Sequence, residues 1–212
     1  MRLLSLRSLP WRQLLALFAA LLVCTALWAD ARQSALADHV IRLHVLAASD
    51  QAEDQARKLR VRDAVLARAR PLLAGCRSAA EAEAALSAHR EDLVRAAEET
   101  LRELGRGDPV SVSLEDVWFP TRVYAAAALP AGTYRALRVV IGPGAGHNWW
   151  CVVFPSLCLP AVDASSLEAA GLPAGDVALL TEDASTVRFR FRTLEWWQTL
   201  KHRAEALRQE GE

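Results

Sequence analysis

Net charge is the first thing this sequence lacks: 25 lysines and arginines stand against 25 aspartates and glutamates. A balanced chain has no global attraction to a polyanion, so a nucleic-acid partner is not expected. The marks of a disordered chain are missing too. Ten glycines and nine prolines among 212 residues are ordinary, and most of the chain is expected to fold. No GxxxxGK[ST] signature is present. The one glycine-rich stretch, IGPGAGHN (Ile141–Asn148), precedes an apolar strand-like run rather than a helix. Without a helix N-terminus it is no ready phosphate cradle, and a tight turn between strands is the favoured reading. Histidines 39, 44, 89, 147 and 202 form neither HExxH nor a close cluster, and Cys151 and Cys158 are too far apart for a zinc knuckle. No metal and no cofactor are expected. Internal repeats are absent as well.

What is present begins with the N-terminus. Arg2, Arg7 and Arg12 precede LLALFAALLVCTALW, a run of uncharged residues from Leu14 to Trp28. As a helix it would be about 22 Å long, short for a hydrocarbon core of roughly 30 Å. The basic start, the short apolar core and the small residues Ala29–Ala31 read as a secretory signal over residues 1–31, cleaved near Ala31. A retained anchor and a buried helix are the alternatives. Residues 32–212 would then form a single exported domain. Outside the cytoplasm a Cys151–Cys158 disulfide is a possible staple, leaving Cys76 either buried or free to pair between chains.

The exported part reads as an α+β fold: a mainly antiparallel sheet, two long helices inserted after the first strand, and a C-terminal covering helix. VIRLHVLAA (Val40–Ala48) is a strand by its alternation and branched residues. Ser49 or Asp50 then caps a helix whose first turn carries Glu53 and Asp54, and Pro71 ends or bends it. A second helix is expected over about 78–104, with Leu86, Leu93, Ala97 and Leu101 near helical spacing. Strands follow at Val110–Trp118, around Val123, at Tyr134–Ile141, through WWCVVF and at Thr186–Thr193. An amphipathic helix from Leu194 to about Gln209 closes the chain.

Cys151 with His147 four residues earlier invites a cysteine hydrolase, with Asn148 in the orienting role. Strand geometry opposes it, because residues four apart in a strand lie about 13 Å apart. A structural or disulfide-bonded cysteine is the better reading. The acids Asp50, Glu53, Asp54 and Asp63 fit helix capping and a solvated face better than a metal site, and Asp50 suits the turn after the first strand. Trp149 and Trp150 should point to opposite sides of their strand, one into the core and one towards a partner or a covering helix. Arg122, Arg135 and Arg138 read as outer-face charges or ion-pair partners.

The combination of IRLHVLAASDQAEDQARKLRVRDAVL and FPTRVYAAAALPAGTYRALRVVIGPGAGHNWWCVVFPSLC resembles the stage II sporulation protein R family, over roughly residues 40–200 plus the secretory start. The resemblance implies a protein made in the forespore and exported into the space facing the mother cell. It implies a signal to a membrane-embedded aspartic protease that matures the mother-cell sigma factor precursor, with no catalysis by the signal itself. Contact with membrane is expected only through export or a retained N-terminal segment. Carried over, the recognition candidates are Arg42, His44, Asp50, Arg62, Asp63, Arg122, Tyr124, Asn148, Trp149 and Trp150. Ala48 and Ala125 depart from the Asn and Gly common in relatives, which touches local turn geometry alone.

Overall fold

A computed structural model of the chain describes residues 11–124 and 128–155. The elements run α1 (Trp11–Ala37), β1 (Ile41–Leu46), α2 (Ala52–Leu73), α3 (Ala79–Ala88), α4 (Arg90–Glu103), β2 (Val110–Phe119), β3 (Arg122–Val123), β4 (Ala128–Leu129), β5 (Gly132–Ile141) and β6 (Asn148–Phe154). Four strands form one sheet in the order β2-β5-β1-β6, and β3 pairs with β4 in a separate two-stranded ribbon. The α+β reading holds, but the sheet is mixed. β1 runs parallel to β5, while β2–β5 and β1–β6 are antiparallel. A parallel neighbour needs a long crossover, and here α2, α3, α4 and β2 together supply it.

All six residues of β1 are buried, as expected of a strand with neighbours on both edges and cover on both faces. Leu43 and Val45 belong to the same core as the buried stripe of α2, formed by Val61, Val65, Ala69 and Leu73. Pro71 does not stop α2, which continues to Leu73. The second long helix is two helices meeting at His89. Ser78 caps α3 by accepting from the Glu81 amide at 3.2 Å, and Glu81 reaches back to the Arg77 amide at 2.9 Å. This reciprocal pairing is the capping-box pattern shifted by one residue. Leu86 from α3 and Leu93, Ala97 and Leu101 from α4 complete the core.

The glycine stretch is a turn, though not a hairpin. β5 and β6 flank β1, so the chain must pass over the end of β1 to join them. Gly146 makes this crossing: its amide donates to Ala47 O at 2.9 Å, and a Cβ there would stand 2.3 Å from Ser49 O.

α1 runs without interruption through Ala31. Along its first two thirds Leu14, Phe18, Leu21 and Trp28 are largely exposed, while Gln33 and Leu36 near its end are buried against the domain. Among the described residues no helix is long and apolar enough to cross a membrane. The expected strand at 186–193, the C-terminal covering helix and Cys158 lie outside the described residues.

Candidate functional site

The period-two geometry of β1 sends Leu43 and Val45 towards the helices and Arg42 and His44 to the opposite face of the sheet. On that second face Arg42 is fully buried. Its Cζ lies 4.0 Å from the centroid of the Phe119 ring and 4.8 Å from that of Tyr134. Nη2 donates to the Tyr124 hydroxyl at 2.6 Å, whereas Nε and Nη1 are buried with no acceptor among the described residues. Burial is the main force on this guanidinium and pulls its pKa down, with the two tyrosines opposing that pull. A buried cation with unmet donors is costly, because nothing in the interior replaces its lost hydration.

His44, two residues on, is built into the same cluster. Its ring stacks on Trp150 with centroids 4.0 Å apart and planes 13° apart, and it meets Phe119 edge-on at 6.0 Å. Nε2 lies 3.0 Å from Asn148 Oδ1. With that oxygen as acceptor, Nε2 carries the proton, and Nδ1 is a buried acceptor without a donor among the described residues. Desolvation lowers the His44 pKa, so the ring is neutral at neutral pH. Phe119 also packs against Trp150 at 4.7 Å and Tyr134 at 6.0 Å. The Tyr134 hydroxyl donates to Pro130 O at 2.8 Å, and burial pushes its pKa up to about 12. The neighbouring acid on this face, Glu115, is engaged by Arg138 at 2.9 Å.

The end of α1 also reaches this face. Gln33 Nε2 donates to Thr133 O at 3.4 Å and sits over Gly132, where a Cβ would come within 2.3 Å of that same nitrogen.

The other recognition candidates are distributed elsewhere. Arg62 stacks over Trp149, with Cζ 4.3 Å from the ring centroid, and pairs with Asp63 at 2.7 Å. The paired positions Val45↔Trp149 and His44↔Trp150 put the two tryptophans on opposite faces, as the alternation predicts. Asp50 lies beyond the end of β1, accepting from the His147 amide at 2.6 Å and contacting the His147 ring. It therefore organises the turn. Lys58 was not singled out in the sequence, yet it is buried there, donating to His147 O at 2.8 Å and Gln55 Oε1 at 2.6 Å. Burial lowers its pKa. Its position in the α2 stripe, four residues after Asp54, was the available signal. Arg122 is exposed on β3.

Cys151 sits opposite Leu43 on the helix-facing side and is buried. It is not brought together with the His147 ring, which is exposed and held by Asp50. Cys76 is a free, half-buried thiol. Among the described residues no group of three or more histidine, cysteine or acidic side chains could hold a metal ion. The arrangement that does stand out is a polar and aromatic cluster, Arg42–His44–Phe119–Tyr124–Tyr134–Trp150, in which a guanidinium and an imidazole lie among aromatic rings.

A model of the family described as stage II sporulation protein R matches residues 37–164, ending short of the limit near residue 200 suggested by the motifs. Stage II sporulation protein R of Bacillus subtilis (strain 168) is 37% identical over 121 residues, which cover 57% of this chain and 54% of that protein. The chain thus spans about half the length of this curated relative. No solved structure matches it.

Proposed function

The chain belongs to the stage II sporulation protein R family, and from that premise we propose that it is an exported signalling protein of endospore formation. It activates a membrane-embedded aspartic protease across the space between forespore and mother cell, and the protease then matures the mother-cell sigma factor precursor. The observation that carries this reading is the cluster around Arg42 and His44. Five of the residues suggested by the family motifs, Arg42, His44, Tyr124, Asn148 and Trp150, come from three separate parts of the chain and meet on one face of the sheet. That face lies opposite α2, α3 and α4, and Trp150 on it is half-buried. A half-buried aromatic beside buried polar atoms is the usual make-up of an interface anchor.

A Cys151–Cys158 disulfide belongs to the same proposal, and it would leave no free thiol at Cys151 to act as a nucleophile. The test is reconstitution of the purified protein with the protease in membranes, reading precursor cleavage. Alanine at Trp150 or Tyr124 should reduce cleavage while the variant stays folded. Full cleavage by both folded variants would remove this face from the mechanism.

A further inference from the structure

The end of α1 belongs to the folded domain. Leu36 joins the main core, while Ala37 packs against Phe119, Tyr134 and Ala136. Gln33, only 6% exposed, lies in the space that Gly132 leaves free; a Cβ there would stand 2.3 Å from its Nε2 and 2.4 Å from its Cδ. Its amide donates to Thr133 O. The last turn is closed by the Asp38 amide on Ser34 O at 3.1 Å, with His39 Nδ1 2.8 Å from Ala35 O. Only Asp38, His39 and Val40 then separate α1 from β1, so this seat is tied closely to the central strand.

Ala29 and Ala31 are the small residues that place a signal peptidase cut after Ala31. Gln33 is therefore the second residue beyond the scissile bond, and the whole stretch is helical. A peptidase takes its substrate as extended chain, with residues on both sides of the bond inside its cleft. Drawing Ala29–Gln33 out of the helix lengthens it from about 6 Å to about 13 Å. The cleft cannot enclose Gln33 while that side chain is buried against Gly132.

We propose that Ala29–Ala31 is a proteolytic processing site that the folded domain closes, with Gln33 on Gly132 and Leu36 in the core as the latch. This rests on the secretory-signal reading and adds an order of events to it. Residues 1–31 are released before α1 seats, and a chain that folds first keeps its apolar helix. Release leaves 32–37 to seat as a short helical clip, so the cut domain loses none of these contacts. In the seated form, cutting follows the fraction of molecules whose last turn is open.

The test exposes the full chain, in detergent micelles, to a purified type I signal peptidase and follows the released 1–31 fragment by mass spectrometry. A synthetic peptide of residues 20–40 is the open reference. The peptide should be cut after Ala31, and the folded chain about tenfold more slowly or slower still. Gly132→Ala puts a methyl group where the Gln33 side chain lies and leaves the substrate sequence intact. It should raise the rate towards that of the peptide, and so should Leu36→Ala. Leu86→Ala, which weakens the core from α3, should leave the rate near wild type. Equal rates for the peptide and the folded wild type overturn the closure while the secretory reading stands. No acceleration by either seat variant, or equal acceleration by Leu86→Ala, overturns the latch. A peptide left uncut after Ala31 removes the signal site itself, and the closure with it.

Discussion

Replacing Arg42 with methionine separates recognition from stability. The substitution removes a charge-assisted hydrogen bond to Tyr124, worth about 1.5–3 kcal/mol, and two cation–ring contacts, each about 2 kcal/mol when desolvated. Against this, it removes two buried donors without acceptors, Nε and Nη1, each costing about 1–3 kcal/mol. It also removes the desolvation of an unpaired charge, which is several kcal/mol more. Methionine keeps most of the stem, and its sulfur gains about 0.3–1.5 kcal/mol against aromatic rings. Tyr124 is half-buried, so its freed hydroxyl can turn to water. The opposing contributions nearly cancel, and the net change should fall within about 2 kcal/mol of zero. The measurement is equilibrium urea unfolding followed by tryptophan fluorescence, with precursor cleavage measured on the same preparation. Leu86→Ala, at a fully buried position of α3, provides the scale and should lose about 2–5 kcal/mol. Arg42→Met should instead unfold near the wild-type midpoint and fail to stimulate cleavage. A loss comparable to that of Leu86→Ala would refute the reasoning, since it would make the guanidinium a structural member of the fold.

His44 predicts a pH dependence. Burial holds its folded pKa below the ordinary histidine value of about 6.5, so the unfolded chain binds the proton more readily. The stability it contributes is complete above about pH 6.5 and is lost as the pH falls through the folded value; His44→Gln should flatten unfolding free energy against pH in that range. Gly146→Ala places a methyl group against Ser49 O and should cost about 1–3 kcal/mol by chemical denaturation; an unchanged midpoint would mean that the turn is not packed on β1. Cys151→Ser should retain precursor cleavage in whatever fraction remains folded, whereas a folded but inactive variant would restore the hydrolase reading.

The elements were legible where side-chain period and local chemistry agree. β1 announces itself by branched residues, and Ser78 with Glu81 marks a helix start that the structure caps as written. The break at His89 was not legible, because strong helix formers stand on both sides of it and the apolar positions Leu86, Leu93, Ala97 and Leu101 keep helical spacing across it. The turn function of Asp50 could be read from its place after a strand. Its partner His147, 97 residues away, could not.

The local pattern of the sequence settled which stretches are strand or helix and which of Trp149 and Trp150 must part company, since the alternation of a strand is a property of neighbouring residues alone. Only the tertiary structure decided that β5 lies parallel beside β1, and that Phe119, Tyr124 and Tyr134 surround a buried Arg42. Those facts depend on strand order and on contacts across more than eighty residues, such as Arg42 to Tyr124. No local propensity encodes them. They follow from a packing that buries both faces of β1 while leaving Nε and Nη1 of an arginine without an acceptor among the described residues.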